Sequence, residues 1–377
     1  MMRCDLVVTA SDGHARVCVL TTPHGEVETP AFMPVGTAAA VKTLTPAEVV
    51  ASGARMILAN TYHLMLRPGA ELIARAGGLH RFMSWPGAIL TDSGGYQVFS
   101  LAERRKLDDD GVTFSSHIDG SRHRLTPERT MEIEQALGAD VAMVLDECPP
   151  GGASRDVVAH AVRRTSAWAR RCLAAHTRPD QSLFAIVQGG TFLDLRMEHA
   201  AELSELGFDG HALGGLSVGE PREEMSAVVS AVTPALPADR PRYLMGVGTE
   251  ADILEGVASG VDLFDCVLPT RNARNGQVFT SAGRLAIRNA RYREDPRPLD
   301  ETCDCATCRT FDRRYLRHLF TVGDILAHRL LTLHNVHHYG RVMAGARAAI
   351  RAGTFESYRR DVAATMNKDP GNDPELC

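Results

Sequence analysis

Short apolar runs alternate with amphipathic stretches along most of the chain. Eight of these runs are AFMPV (31–35), RMILANT (55–61), AILTD (88–92), DVAMVLD (140–146), LFAIVQG (183–189), GHALGGL (210–216), RYLMGVG (242–248) and LFDCVLP (263–269). They are continuous and largely uncharged until their last residue or two, the pattern of parallel strands covered on both faces. Between them PERTMEIEQAL (127–137), SRDVVAHAVRRTSAWARRCLAAH (154–176), FLDLRMEHAAELSEL (192–206) and PREEMSAVVSAV (221–232) read as helices. Thr126 before Pro127 and Glu128 marks a helix start, and Leu-Gly at 137–138 and 206–207 marks two stops. Eight strands in alternation with helices predict an α/β protein, a (β/α)8 barrel with room for insertions. A doubly wound open sheet shares this periodicity and is the competing architecture. One insertion runs from Tyr96 to Arg124, where DDDGVTFSSHIDGSRHR suggests a hairpin; the other follows the eighth strand.

Composition narrows the possibilities. With 377 residues, 44% hydrophobic and 23% charged, the chain has the make-up of a soluble globular protein with a large core. No apolar stretch approaches the ~18 residues of a spanning helix, so no membrane association is predicted. The opening MMRCDLVVTA lacks the apolar core of a signal peptide, which points to the cytoplasm. There the nine cysteines are expected as thiols or metal ligands rather than disulfides. A net charge of −5 argues against an indiscriminate nucleic-acid binder. Between Arg271 and Arg329, however, 12 Arg face 7 Asp and Glu, a local +5 that keeps an anionic partner in play.

Active sites of such barrels lie at the carboxyl ends of the strands. Those ends carry Asp92, Asp146, Gln188, Gly214, Gly215, Gly246 and Asp265. One such aspartate is usually a helix cap or turn residue; three on one rim imply a site for a polar substrate. In ALGGLSVGE the missing side chains let backbone approach a flat ligand, or serve tight strand-to-loop packing. MGVGTE lacks the third glycine of a phosphate loop and reads as a turn. Two carboxylates about a glycosidic carbon can run a double displacement, a chemistry that suits Asp265 and Asp92. Asp146 and Gln188 then remain to bind the donor-rich edge of a heterocycle.

CDCATC brings Cys303, Cys305 and Cys308 together, a C-x-C-x2-C cluster that suits Zn2+. The fourth ligand is sought in TVGDILAHRLLTLHNVHHYG, where His328, His334, His337 and His338 are all available and spacing does not choose. Four protein ligands leave no open position, so the ion is expected to be structural.

In this order TDSGGYQVFSL (91–101), DECPP (146–150), IVQGG (186–190), LGGLSVGE (213–220), YLMGVG (243–248), FDCVLPTRNARNG (264–276), CDCATC (303–308) and LLTLHN (330–335) closely resemble the bacterial tRNA-guanine transglycosylases, also called queuine tRNA-ribosyltransferases. The likeness runs from about residue 5 to 365, and FDCVLPTRNARNG is its most specific string. The resemblance implies a barrel with a zinc subdomain inserted before the last helix. The division then expected is a barrel over 1–290 with its hairpin at about 96–125, a zinc-binding subdomain over 291–339, the last barrel helix over 340–366, and a frayed tail over 367–377. It also implies exchange of the wobble guanine of tRNAs for aspartate, asparagine, histidine and tyrosine, within the anticodon loop, for 7-aminomethyl-7-deazaguanine (preQ1). By resemblance Asp265 is the nucleophile on the ribose and Asp92 the general acid/base. Asp146, Gln188, Gly215 and the backbone of Leu216 recognise the base, and Tyr96 and Met245 sandwich its ring. Arg271 and Arg274 match positions that contact anticodon bases, and His334 matches the fourth ligand of the zinc. Cys148 and Val218 stand as in bacterial members, pointing to preQ1 rather than the larger queuine. From its length, the chain is not expected to carry the added RNA-binding domain of archaeal relatives. A homodimer through the zinc region is also implied, with Tyr315, His318 and Lys42 at matching positions.

Two rival readings are a retaining glycoside hydrolase and a non-catalytic, zinc-stabilised RNA-binding subunit. The first has no need of the cysteine insertion, and the second is expected to lack Asp265.

Overall fold

The computed structural model describes residues 3–101 and 105–366. At its centre eight short strands run parallel: β1 (Ala31–Pro34), β2 (Met56–Ala59), β3 (Ala88–Thr91), β4 (Val141–Met143), β5 (Ser182–Val187), β6 (Gly210–Leu213), β7 (Arg242–Leu244) and β8 (Leu263–Cys266). Each pairs with the next from β2 to β8, and β8 returns to β1 in the register Leu263↔Ala31 to Cys266↔Pro34. A parallel bridge, Val35↔Leu58, closes the ring between β1 and β2, where the Gly36 amide donates to the Leu58 carbonyl at 2.6 Å. The sheet is therefore a barrel, not the open alternative. Every residue of β2 to β7 is buried, because side chains fill the lumen on one face and helices cover the other. In β8 burial relaxes at Asp265 and Cys266, where the strand reaches the rim.

The helix signals act as read. Thr126 caps Pro127–Leu137 by accepting from the Arg129 amide at 3.2 Å, and Gly138 ends that helix at φ +71°. The segment after β3 is more than a hairpin. A helix, Gly95–Leu101, precedes a three-stranded antiparallel sheet of Arg105–Asp108, Gly111–Ser115 and Arg122–Leu125.

Ahead of the barrel stands another antiparallel sheet, Asp5–Asp12, Ala15–Thr22 and Gly25–Thr29, which the apolar pattern did not reveal. It is tied to the amino ends of the strands. Arg16 donates to both oxygens of Asp262, just before β8, at 2.9 and 2.6 Å, and also to the Ala238 and Arg240 carbonyls. His24 and His80 both reach Asp140, just before β4, at 2.7 and 3.1 Å. This sheet thus sits at the end opposite the carboxyl ends of the strands.

The cysteine-bearing segment has its own small core, in which Val278, Leu285, Leu299, Leu316 and Leu331 are buried. The helix Ile325–Arg351 runs unbroken past position 340, so one rod serves both this core and the barrel. The expected tail, 367–377, lies outside the described residues. Among the described residues no helix is long and apolar enough to cross a membrane.

Candidate active site and metal centre

A cleft of about 530 Å³ opens at the carboxyl ends of the strands, and Asp92, Asp146 and Asp265 all line it. Each carboxylate is held by neutral donors. Asp92, one residue past β3, receives Asn60 Nδ2 at 2.5 Å, the Thr61 amide at 2.9 Å and Gln97 Nε2 at 2.8 Å. Burial pushes its carboxyl up to about 6, the charge of Asp265 adds to the rise, and the three donors oppose it. Asp265, within β8, accepts Tyr243 Oη at 2.5 Å and the Gly246 amide at 2.8 Å, both on Oδ1. Its pKa too is raised by loss of water, against those two donors. Gly246 reaches that carboxylate from φ +72°, a left-handed conformation that favours glycine.

Asp146 lies three residues beyond β4. Its oxygens accept Ser93 Oγ at 3.1 Å and Gln188 Nε2 at 2.7 Å, and burial raises its pKa to about 6. Gln188 is fully buried and does not line the cleft; it orients Asp146 from behind. Its Oε1 occupies the space that a side chain on Gly215 would take, and Gly215 itself turns at φ +63°. Glycine is therefore required there both by the turn and by the close approach.

Tyr96 is exposed and Met245 half-buried; both line the cleft, as do Leu216, Cys148 and Val218. Arg271 lines its mouth. Arg274, one turn later on Leu268–Arg274, stays outside and donates to the Thr270 carbonyl at 2.8 Å.

In the second core, Cys303, Cys305, Cys308 and His334 present ligand atoms within 4.8 Å of one another. His334 Nδ1 lies 3.6, 3.6 and 3.2 Å from the three sulfurs. A tetrahedral zinc with ordinary bond lengths sets nitrogen and sulfur about 3.6 Å apart. The other ring nitrogen, Nε2, donates to the Phe279 carbonyl at 2.7 Å, which leaves Nδ1 as the lone-pair ligand. The four residues fit one tetrahedral ion. The neighbouring histidines are engaged elsewhere, His337 with Asp304 and His338 with Glu250.

The family model for queuine tRNA-ribosyltransferase matches residues 11–368. A queuine tRNA-ribosyltransferase of Sorangium cellulosum is 61% identical over 93% of this chain and 89% of its own length. Those of Solidesulfovibrio magneticus and Syntrophobacter fumaroxidans are 57% and 55% identical, over 94% and 98% of this chain and 95% and 100% of theirs.

The chain belongs to the queuine tRNA-ribosyltransferase family.

Within this family member, the polar partners of the aspartates went unread in the sequence: Asn60, Ser93, Gln97 and Tyr243. Asn60 had a visible cue, since it ends the apolar run of β2 at the same rim as Asp92. Tyr243 had none. It lies in an apolar strand and is fully buried, and its hydroxyl bond to Asp265 leaves no mark in the pattern.

Proposed function

We propose that the chain is a tRNA-guanine transglycosylase that exchanges the wobble guanine in the anticodon loop of tRNAs for Asp, Asn, His and Tyr with preQ1, a step of queuosine biosynthesis. The observation that carries this reading is the opening of three carboxylates, each on its own set of neutral donors, into one cleft. Asp265 is the nucleophile. With Oδ1 held by Tyr243 and Gly246, Oδ2 is the oxygen assigned to the ribose C1′. As the C1′–O bond forms, the bond to guanine breaks and guanine leaves with a proton from Asp92. PreQ1 then enters, gives the corresponding proton back to Asp92 and attacks C1′, which frees Asp265. A carboxyl near 6 suits both proton transfers around neutral pH.

A base must leave the anticodon stack to reach the cleft, and Tyr96 and Met245 supply faces for its ring. Asp146, oriented from behind by Gln188, accepts its N–H donors, with Gly215 and the Leu216 backbone around it. Arg271 and Arg274 hold the attacked strand by charge. Cys303, Cys305, Cys308 and His334 would hold one Zn2+, whose contribution is to cross-link the inserted segment. We further assign a cytoplasmic homodimer through the zinc region, where Lys42, Tyr315 and His318 are all exposed.

Incubation with tRNA and labelled guanine tests the reaction. Label should enter tRNA bearing guanine at the wobble position, and unlabelled preQ1 should chase it out. Release of base or sugar with no incorporation would favour a hydrolase and overturn the proposal.

A further inference from the structure

The cleft's carboxylates do not exhaust the acids at this end of the barrel. Glu134, on the helix Pro127–Leu137, is completely buried behind them. Thr61 Oγ1 donates to its Oε1 at 3.0 Å, and Thr91 Oγ1 makes a short hydrogen bond with its Oε2. Both threonines belong to the cradle of Asp92. Thr61 gives its amide to Asp92 Oδ1, its neighbour Asn60 gives its side chain to Oδ2, and Thr91 precedes Asp92 in the chain.

We propose that Glu134 is a positioning residue for Asp92: one buried carboxyl that ties the end of β2 to the end of β3 through Thr61 and Thr91, and so fixes where the Asp92 carboxylate sits. The inference rests on the reading of Asp92 as the acid/base of the transfer. The pattern of donors shows how the tie works. Thr91 Oγ1 also lies 3.3 Å from the Val141 carbonyl, which can only accept. A protonated Glu134 completes the circuit: its hydroxyl donates to Thr91, Thr91 donates to Val141, and Thr61 donates to the remaining carboxyl oxygen. Burial and the nearby charge of Asp92 both favour that protonated form, and the pKa of Glu134 lies well above the usual carboxylate range. Glu134 thus braces Asp92 without placing a second negative charge beside it.

An amide side chain reproduces this circuit, with NH2 toward Thr91 and C=O toward Thr61. Glu134→Leu keeps the volume and removes both bonds. The expected result is a fall in kcat for guanine exchange of about 10- to 100-fold with little change in KM for tRNA, together with a displaced pH–rate profile for Asp92. Glu134→Gln should recover most of that kcat and restore the profile. Thr61→Val, which keeps side-chain shape and loses one hydroxyl, guards against a misfolded Leu variant and should show the same direction of change. Wild-type kcat and pH profile in folded Glu134→Leu and Thr61→Val would overturn the proposal. So would a Glu134→Gln variant as impaired as Glu134→Leu. Infrared difference spectra of the intact protein read the circuit without any assay: a protonated-carboxyl band should vanish in Glu134→Gln. Its absence from the wild type refutes a protonated brace even if the exchange reaction is present, and failure of exchange in the wild type refutes the transferase reading instead.

Discussion

Asp146 shows what a buried carboxylate costs. Its pKa is near 6 in the fold against an ordinary value of 3.8, so the folded state binds its proton more tightly than the unfolded chain does. The stability linked to that proton is fully present below pH 3.8 and is lost as pH rises through 6, a cost of roughly 3 kcal/mol above that point. Asp146→Asn removes the cost and keeps the contacts, because its amide oxygen can accept from Gln188 while its NH2 donates to Ser93. We expect this variant to melt higher than wild type at neutral pH, with the gap closing as pH falls toward 4, and to bind guanine more weakly. Melting curves across pH check the first expectation and guanine titration the second. An Asp146→Asn protein no more stable than wild type at neutral pH would mean that the buried carboxylate is compensated in a way its two donors do not explain. At this scale the sequence was partly legible. Charged residues at strand ends stand out against apolar runs, so the three aspartates could be found. Gln97 and Tyr243 are neutral, and their importance appears only when the chain brings them to 2.8 and 2.5 Å from a carboxylate, whereas Asn60 is marked by its place at the end of β2.

Among the elements, barrel strands were the easiest to read, since burial on both faces leaves an uninterrupted apolar run. The amino-terminal sheet was harder. Its first strand alternates buried and exposed positions only weakly, and its attachment depends on Arg16 and His24, polar residues that sequence alone places at the surface. The Arg16–Asp262 pair is nearly solvent-free, with side chains 6% and 0% exposed, and Asp262 also accepts the Arg242 amide at 2.7 Å. Removing one partner of such a pair strands the other charge, at a typical cost of about 3–5 kcal/mol. Arg16→Ala should therefore lower the denaturant midpoint sharply, whereas Glu205→Ala, at an exposed position, should leave it almost unmoved. The metal centre belongs to the same scale. Cys305→Ala should lose zinc by elemental analysis and lower Tm together, because the four ligands join the cysteine loop to the long helix Ile325–Arg351. Zinc retained in full by Cys305→Ala would mean that the cluster has some other purpose. The spacing of the cysteines announced the cluster but did not choose among the histidines; the family resemblance pointed to His334, and the folded helix, with Nε2 held by the Phe279 carbonyl, brings its Nδ1 to the sulfurs.

On the scale of the whole molecule, the barrel separates stability from chemistry. One end carries the sheet anchored by Arg16 and His24; the other gathers the acids, the glycine-lined pocket and the basic helix that begins at Leu268. That division explains why β8 starts apolar and ends in Asp265, followed by Arg271 and Arg274: its first half packs the barrel and, on the proposed function, its end and the helix after it face the tRNA. Arg271→Ala and Arg274→Ala should each weaken tRNA binding and flatten its salt dependence while leaving Tm nearly unchanged. The central claim is the transient ester between Asp265 and a ribose, and trapping that species tests it most directly. Tryptic mass mapping of protein quenched with tRNA should place the nucleotide on Asp265, and Asp265→Asn should bind tRNA without forming any adduct. An adduct of normal yield in Asp265→Asn, or one mapped to Asp92, would contradict the account.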